Sequence, residues 1–149
     1  MTFLGAIVAW IADPAHWQGS DGIPTRLVQH LGLSATAVLI ATAVALPAGI
    51  VLGHTRRGAG LVINVANIGR ALPSLAILAL VLPFAFRFGL GLGFWPTVLM
   101  LVPLGIPLIL INSYVAISTV DQDAVEVARG LGMRGWEVLR NVELPLAAP

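Results

Sequence analysis

Three long apolar stretches place the strongest constraint on what this chain can fold into. They run from about Leu31 to Gly53, from about Leu61 to Phe86 and from about Phe94 to Ser118. A helix that crosses a bilayer needs about 20 mostly apolar residues, so each stretch is long enough to span. Only 10% of the residues are charged, whereas soluble domains carry roughly 25%. The sequence therefore predicts an all-α membrane protein built as a multi-span helical bundle.

Each stretch also contains proline, at positions 47, 73, 83, 96, 103 and 107. A proline inside a helix frees a carbonyl group and kinks the axis. Within lipid, such a carbonyl needs a neighbouring helix or water as its partner. The prolines therefore favour packed helices around a cavity over a single membrane anchor.

Arginines are concentrated on one side of the predicted spans. Five of them follow the first or the third stretch: Arg56, Arg57, Arg129, Arg134 and Arg140. The positive-inside rule puts these segments in the cytoplasm, and it puts the N-terminus and the turn at 89–93 outside. The apolar segment Phe3–Ala12 is too short for a span and has no basic residue before it, so it is interpreted as interfacial or partly inserted instead of as a signal peptide.

Several kinds of chemistry are excluded by composition. All eight basic residues are Arg, so the Lys that a P-loop needs is missing. Cysteine is absent, and His16, His30 and His54 have no carboxylate at the spacing of a metal site. No basic run suggests nucleic acid. We therefore predict no catalytic residue, no metal and no cofactor, and any ATP hydrolysis belongs to a partner subunit.

A polar segment follows the third stretch. An amphipathic helix is predicted over Thr119–Gly132, capped by Ser118 or Thr119, with one apolar face made of Val120, Ala124, Val127, Ala128 and Leu131. Gly130 and Gly132 are expected to end it. A second short helix is predicted over Arg134–Glu143, with Trp136, Leu139 and either Val142 or Glu143 on one side. Leu144-Pro145 is expected to end it. Periodicity alone leaves open whether this segment lies on the membrane surface or docks on a partner.

The spacing of particular residues in this segment carries a resemblance. Glu126-Val127-Ala128, Gly132 and Val142-Glu143-Leu144-Pro145 resemble the motif of binding-protein-dependent ABC importer permeases, which is Glu-Ala-Ala, three residues, Gly, nine residues and Ile-x-Leu-Pro. Glu126, Ala128, Gly132, Leu144 and Pro145 match in register, whereas Val127 and Val142 replace Ala and Ile.

The resemblance implies a single type I permease transmembrane domain over residues 1–149, with a cytoplasmic coupling loop over 119–145. In this family the loop enters a cleft on a cassette ATPase subunit. The family also implies a second permease subunit, an extracytoplasmic substrate-binding protein and a bacterial inner (plasma) membrane location. The apolar end of the chain at 144–149 reads as the start of another helix, so we expect a C-terminally truncated, incomplete domain.

Four further segments indicate a branch of the family. Segments of osmoprotectant permeases, which import glycine betaine, choline, carnitine or proline, resemble Gln29–Ser34, Ala45–Ile50, Ala71–Ala76 and Pro107–Tyr114. A methionine-type or other amino-acid permease is the alternative within the family. A non-transport membrane scaffold is the alternative outside it, whereas a membrane enzyme or proton-coupled carrier would need clustered acidic or His residues in the spans.

Four residues are candidates for the translocation pathway or a gate: Arg70, Pro73, Asn112 and Tyr114. Arg70 is the one charge well inside a predicted span, and such charges are costly and often functional. The alternative for Arg70 is a side chain that reaches the headgroups, and the alternative for Asn112 and Tyr114 is a structural role between helices. For Glu126 the alternative is a local pair with Arg129.

Overall fold

A computed structural model describes residues 2–71 and 73–148 of the chain, and the side chain of Arg70 lies outside that description. The described helices are α1 (Phe3–Ala12), α2 (Ile23–Thr55), α3 (Ala59–Ala71), α4 (Ser74–Arg87), α5 (Phe94–Ser118), α6 (Gln122–Gly130), α7 (Gly135–Val138) and α8 (Leu144–Ala147). A π-helical turn, Leu139–Glu143, joins α7 to α8. No strand occurs in residues 2–71 and 73–148, so the predicted all-α architecture is confirmed.

The chain divides into two compact units, residues 1–36 and 37–149. In the first, α1 is apolar and every one of its residues is exposed. The indole Nε1 of Trp17 donates a hydrogen bond to the carbonyl of Ile11 (2.7 Å), which satisfies one of the carbonyls left open at the end of a helix. Arg26 pairs with Asp21 in the same unit.

Within the part of the chain that the structure describes, two helices, α2 and α5, are long and apolar enough to cross a membrane. Helix α2 has 33 residues, about 50 Å at 1.5 Å per residue, so the apolar stretch at 31–53 lies inside a longer helix. The stretch at 61–86 is divided between α3 and α4, whose axes differ by 90° and which would form a third span together. Pro73 lies at this division in an extended conformation, and it lacks the N–H that a continuing helix requires.

In the second unit, α2 packs through small residues at every fourth position: Ala37, Ala41, Ala45, Gly49 and Gly53 are its buried residues. A Cβ atom on Gly49 would lie 2.8 Å from the carbonyl oxygen of Leu110, and one on Gly53 would lie 2.9 Å from that of Tyr114. Membrane helices approach closely where their facing residues are small. Here the backbone of α2 lies directly on α5.

Helices α3 and α4 also pack on α5. A Cβ atom on Gly69 would lie 2.3 Å from the ring of Pro107, so the glycine leaves the space that this ring occupies. Val62 of α3 is buried together with Ala45 and Leu110. Helix α5 is therefore the central element of this unit.

The chain remains helical from Gly135 to Ala147, through α7, the π-helical turn and α8. The prediction that Leu144-Pro145 ends the second short helix is therefore wrong. Pro145 lies in the first turn of α8, where a missing N–H costs little. The π-helical turn before it shifts the hydrogen-bonding pattern, so the proline ring meets no continuous α-helical ladder.

Candidate functional site

The start of α6 is fixed by Asp121. Its Oδ1 accepts a hydrogen bond from the backbone N–H of Asp123 (3.0 Å), which is the usual role of an N-cap carboxylate. Thr119 was predicted as a possible cap, but its hydroxyl donates to the carbonyl of Val115 in α5 (2.8 Å). The prediction of Ser118 or Thr119 as the cap is therefore wrong, because Ser118 is the last residue of α5 and Thr119 is the C-cap residue of that helix.

The end of α6 is a Schellman motif around Gly132. The N–H of Gly132 donates to the carbonyl of Arg129 (2.9 Å), and the N–H of Met133 donates to that of Ala128 (3.1 Å). Gly132 has a φ of 87°, which glycine adopts at little cost and other residues resist. Gly130 remains within the helix. The turn in the loop thus depends on Gly132.

The loop has a small apolar core of its own. Val120, Val125, Ala128 and Val138 are buried together, and Met133, Val142 and Ala147 pack against them. The predicted apolar face is wrong at two of its positions, since Val127 is 63% exposed and Leu131 is 76% exposed. Val125 takes their place inside, because the returning helix α7 covers the side of α6 that carries Val125 and Ala128.

In the second helix of the loop, the buried side chains also differ from those predicted. Val138 and Leu139 are buried, whereas Trp136 is 67% exposed, so the prediction that Trp136 shares one side with Leu139 is wrong. The helix begins with the N–H of Arg134 donating to Oε2 of Glu137 (2.6 Å). Three large apolar side chains, Val127, Leu131 and Trp136, are therefore left on the outside of a folded loop.

The predicted motif residues lie on different parts of this loop. Glu126 is exposed on α6, and no ion pair joins it to Arg129 among the described side chains. Ala128 belongs to the core of the loop, Gly132 makes its turn, and Leu144 and Pro145 lie in α8. The structure gives Ala128 and Gly132 folding roles and leaves the carboxylate of Glu126 free to meet a partner.

A contact that the sequence reasoning missed ties the end of the loop to α2. Nδ1 of His54 lies 2.5 Å from Oε2 of Glu143, and Glu143 is fully buried. The sequence predicts only that His54 is not part of a metal site. The sequence offers one signal, a glutamate that follows the apolar residues Val138, Leu139 and Val142, but nothing in it indicates a partner 89 residues away.

The predicted pathway residues do not form a common cluster in the described part of the chain. Asn112 is exposed and donates to the carbonyl of Leu108 in its own helix (2.9 Å), whereas Tyr114 packs on the cluster around Ala45, Val62 and Leu110. Pro73 is exposed at the start of α4, and the predicted role of Arg70 rests on a side chain outside the description. The pathway assignments stay predictions.

Comparison with known families assigns this helical chain to a family of membrane proteins. Residues 45–149, which include α3 to α8 and the whole loop, match the family described as binding-protein-dependent transport system inner membrane component. The chain belongs to this family. Membership confirms the predicted permease resemblance and the location in the bacterial inner membrane, and the type I permease fold is the fold of this family.

Curated relatives agree with the family match. The glycine betaine/carnitine/choline transport system permease protein OpuCB of Bacillus subtilis is 42% identical over 121 residues, which cover 81% of this chain and 54% of the relative. The carnitine transport permease protein OpuCB of Listeria monocytogenes is 35% identical over 142 residues, 95% of this chain and 61% of the relative. The choline transport system permease protein OpuBB of Bacillus subtilis is 41% identical over 124 residues, 83% of this chain and 55% of the relative.

The chain thus spans a little over half the length of the curated relatives it matches. No solved structure matches it.

Proposed function

We propose that this chain forms part of the membrane-spanning subunit of an ATP-driven importer and couples the translocation path to an ATPase. Family membership supports the transport role. The chain itself has no Lys for a P-loop, so the proposal assigns ATP hydrolysis to a separate cassette subunit. An extracytoplasmic binding protein, which the family description names, and a second permease subunit complete the proposed complex.

The proposed substrates are osmoprotectants such as glycine betaine, choline, carnitine or proline. The relatives reported above are named for glycine betaine, carnitine and choline, and another is an osmoprotectant import permease of Salmonella typhimurium. An amino-acid permease has less support for this reason. High-affinity recognition of a quaternary ammonium group by an aromatic cage is assigned to the binding protein, and this chain supplies the path.

The observation that carries the coupling role is the outer surface of the loop 119–145. Val127, Leu131 and Trp136 are all more than 60% exposed, although a well-formed apolar core lies directly beneath them. A folded segment that keeps its large apolar side chains outside is suited to burying them in a partner. Glu126, exposed beside Val127, adds a charge that a basic group of the ATPase can pair with.

This surface predicts which substitutions break the complex. In the complete subunit co-expressed with its ATPase, we expect Trp136→Ala to weaken ATPase binding by about 30-fold, because truncating a buried interface tryptophan commonly costs about 2 kcal/mol or more. Leu131→Asp should have a similar or larger effect, since it would bury a charge. The measurement is the affinity of the purified subunit for the ATPase in detergent or nanodiscs.

Trp95→Ala is the matched control, because Trp95 is an exposed tryptophan at the start of α5 and outside the loop. All variants should show unfolding temperatures close to the unchanged protein, since exposed substitutions rarely alter stability by more than about 0.5 kcal/mol. Unchanged ATPase binding by both Trp136→Ala and Leu131→Asp would contradict the docking role.

A further inference from the structure

We infer that His54 and Arg56, at the cytoplasmic end of α2, hold the two ends of the coupling loop and make α2 move with it. This inference rests on the proposed function for its mechanical meaning. His54 and Arg56 are positioning residues that lie outside the loop. Through them, α2 receives the motion of the loop, although it is not adjacent to the loop in sequence.

His54 holds the far end of the loop. Its Nδ1 meets Oε2 of Glu143 at 2.5 Å, and the carboxylate is fully buried. The other oxygen, Oε1, has no hydrogen-bond partner among the described residues, so the contact with His54 is the principal compensation for burying this group. A Cβ atom on Gly135 would lie 3.4 Å from Nε2 of His54, which places the ring against the start of α7 as well.

Arg56 holds the near end of the loop. Its Nη1 donates to the carbonyl of Ser118 (3.1 Å) and its Nη2 to that of Val120 (3.4 Å). These carbonyls end α5 and lead into the loop, where the helix leaves open acceptors and a partial negative charge. Arg56 has a φ of 52°, a conformation that is unfavourable for a residue with a Cβ atom. The side chain thus reaches α5 from a strained backbone position just beyond α2.

Both contacts come from the end of α2, which is packed tightly on α5. Gly53, one residue before His54, lies so close to α5 that an added Cβ would be 2.8 Å from Cβ of Ile117. The end of α2 therefore cannot slide along α5 without breaking this packing. With its near end bonded by Arg56 and its far end by His54, the loop is expected to pass displacement to α2 as well as to α5.

The first measurement tests the two contacts without any ATPase. In the complete subunit alone, His54→Ala and Arg56→Gly should raise amide hydrogen exchange across residues 119–145 by about tenfold or more, because local opening becomes easier. Glycine is chosen at position 56 because it accepts positive φ, so added backbone strain cannot explain the faster amide exchange. The double variant His54→Glu/Glu143→His swaps the two side chains, and it should restore the protection from amide exchange that His54→Ala loses.

The second measurement tests coupling in proteoliposomes with the ATPase and the binding protein. The ATPase should still bind both variants, while substrate transported per ATP hydrolysed falls between about twofold and 30-fold, the range seen when coupling networks are altered. His30→Ala and Arg57→Ala are the controls, since neither side chain makes a hydrogen bond or ion pair within residues 2–71 and 73–148.

Unchanged amide exchange and an unchanged transport ratio in the double variant His54→Ala/Arg56→Gly would overturn the inference. Failure of the unchanged subunit to bind an ATPase would instead overturn the proposed function. The exchange measurement would then still decide whether His54 and Arg56 hold the loop.

Discussion

Gly49 and Gly53 set the distance between α2 and α5. A side chain at Gly49 would collide with the hydroxyl of Ser113, which would be 2.0 Å from the added Cβ. Ser113 itself is buried and donates to the carbonyl of Ile109 (2.6 Å) within α5, so it does not need a partner on α2. The contact between α2 and α5 at this point is therefore close van der Waals packing of backbone and small side chains, without a hydrogen bond from Ser113 to α2.

We expect Gly49→Ala to lower the free energy of unfolding by about 1–3 kcal/mol, the usual cost of overfilling a packed site. Gly32→Ala is the control in the same helix, because an added Cβ there meets nothing within 4 Å. It should be neutral or stabilising by up to about 1 kcal/mol through helix propensity. Thermal unfolding of the purified subunit measures both, and equal stability of the two variants would show that the close contact carries no energy.

Residue-scale features were predictable to different degrees. The repeat of Ala and Gly at every fourth position of α2 is readable in the sequence and is typical of helix contacts in membranes. The pair between His54 and Glu143 was not readable, because a lone histidine at a helix end has many possible neighbours. The exposure of Asn112 likewise depends on which side of α5 faces its neighbours, and three helices compete for that surface.

At the scale of elements, the loop 119–145 behaves as a small folded module attached to the end of α5. Its core consists of buried aliphatic side chains from α6, from α7 and from Val120, which precedes α6. Its turn is fixed by two backbone hydrogen bonds around Gly132. The loop therefore has a core and a turn of its own, as the proposed coupling to an ATPase requires.

Gly132→Val should destabilise the loop by about 1–2 kcal/mol, since a β-branched residue resists positive φ. An added Cβ at Gly132 meets nothing within 4 Å beyond its chain neighbours, so the cost comes from the local backbone conformation and not from a clash with other parts of the protein. Gly132→Asn should be milder because Asn tolerates this region. Amide exchange of the loop is the measurement. Gly130→Ala, at a helical position with open space around it, should leave exchange unchanged or lower it through helix propensity.

The two helices of the loop and the turn at Gly132 could be predicted because they depend on local periodicity and on glycine. Their buried faces could not. Asp121 starts α6 later than expected, and the π-helical turn at Leu139–Glu143 changes which side chains point inward. In α6, Val125 is buried in place of Val127 because α7 covers the side of the helix that carries Val125 and Ala128. The periodicity of a single helix does not specify which side a neighbouring helix covers.

At the scale of the whole molecule, the membrane arrangement follows from a few charges and the spans. The segment at 56–58 and the loop after α5 both carry arginines, and the structure brings them together through Arg56. This contact requires both segments to be on the same side of the membrane. The positive-inside rule then assigns that side to the cytoplasm.

The chain has no cysteine, so single-cysteine variants can test this arrangement. Arg57→Cys should react with a membrane-impermeant maleimide in inverted vesicles and not in whole cells. Leu92→Cys, in the glycine-rich turn before α5, should show the opposite pattern. Both side chains are exposed, so access depends on the side of the membrane, and labelling of both from one side would contradict the proposed topology.

The small residues of α2 that pack on α5 are synthesised before their partner helix. Ser113 lies 64 residues after Gly49 in the chain, and ribosomes add about 5–20 residues per second, so α5 is completed roughly 3 to 13 s after α2. During that interval α2 resides in the bilayer with its glycine-lined backbone facing lipid or the insertion machinery. A substitution that weakens the later contact would extend this period and expose the subunit to membrane proteases before it is assembled.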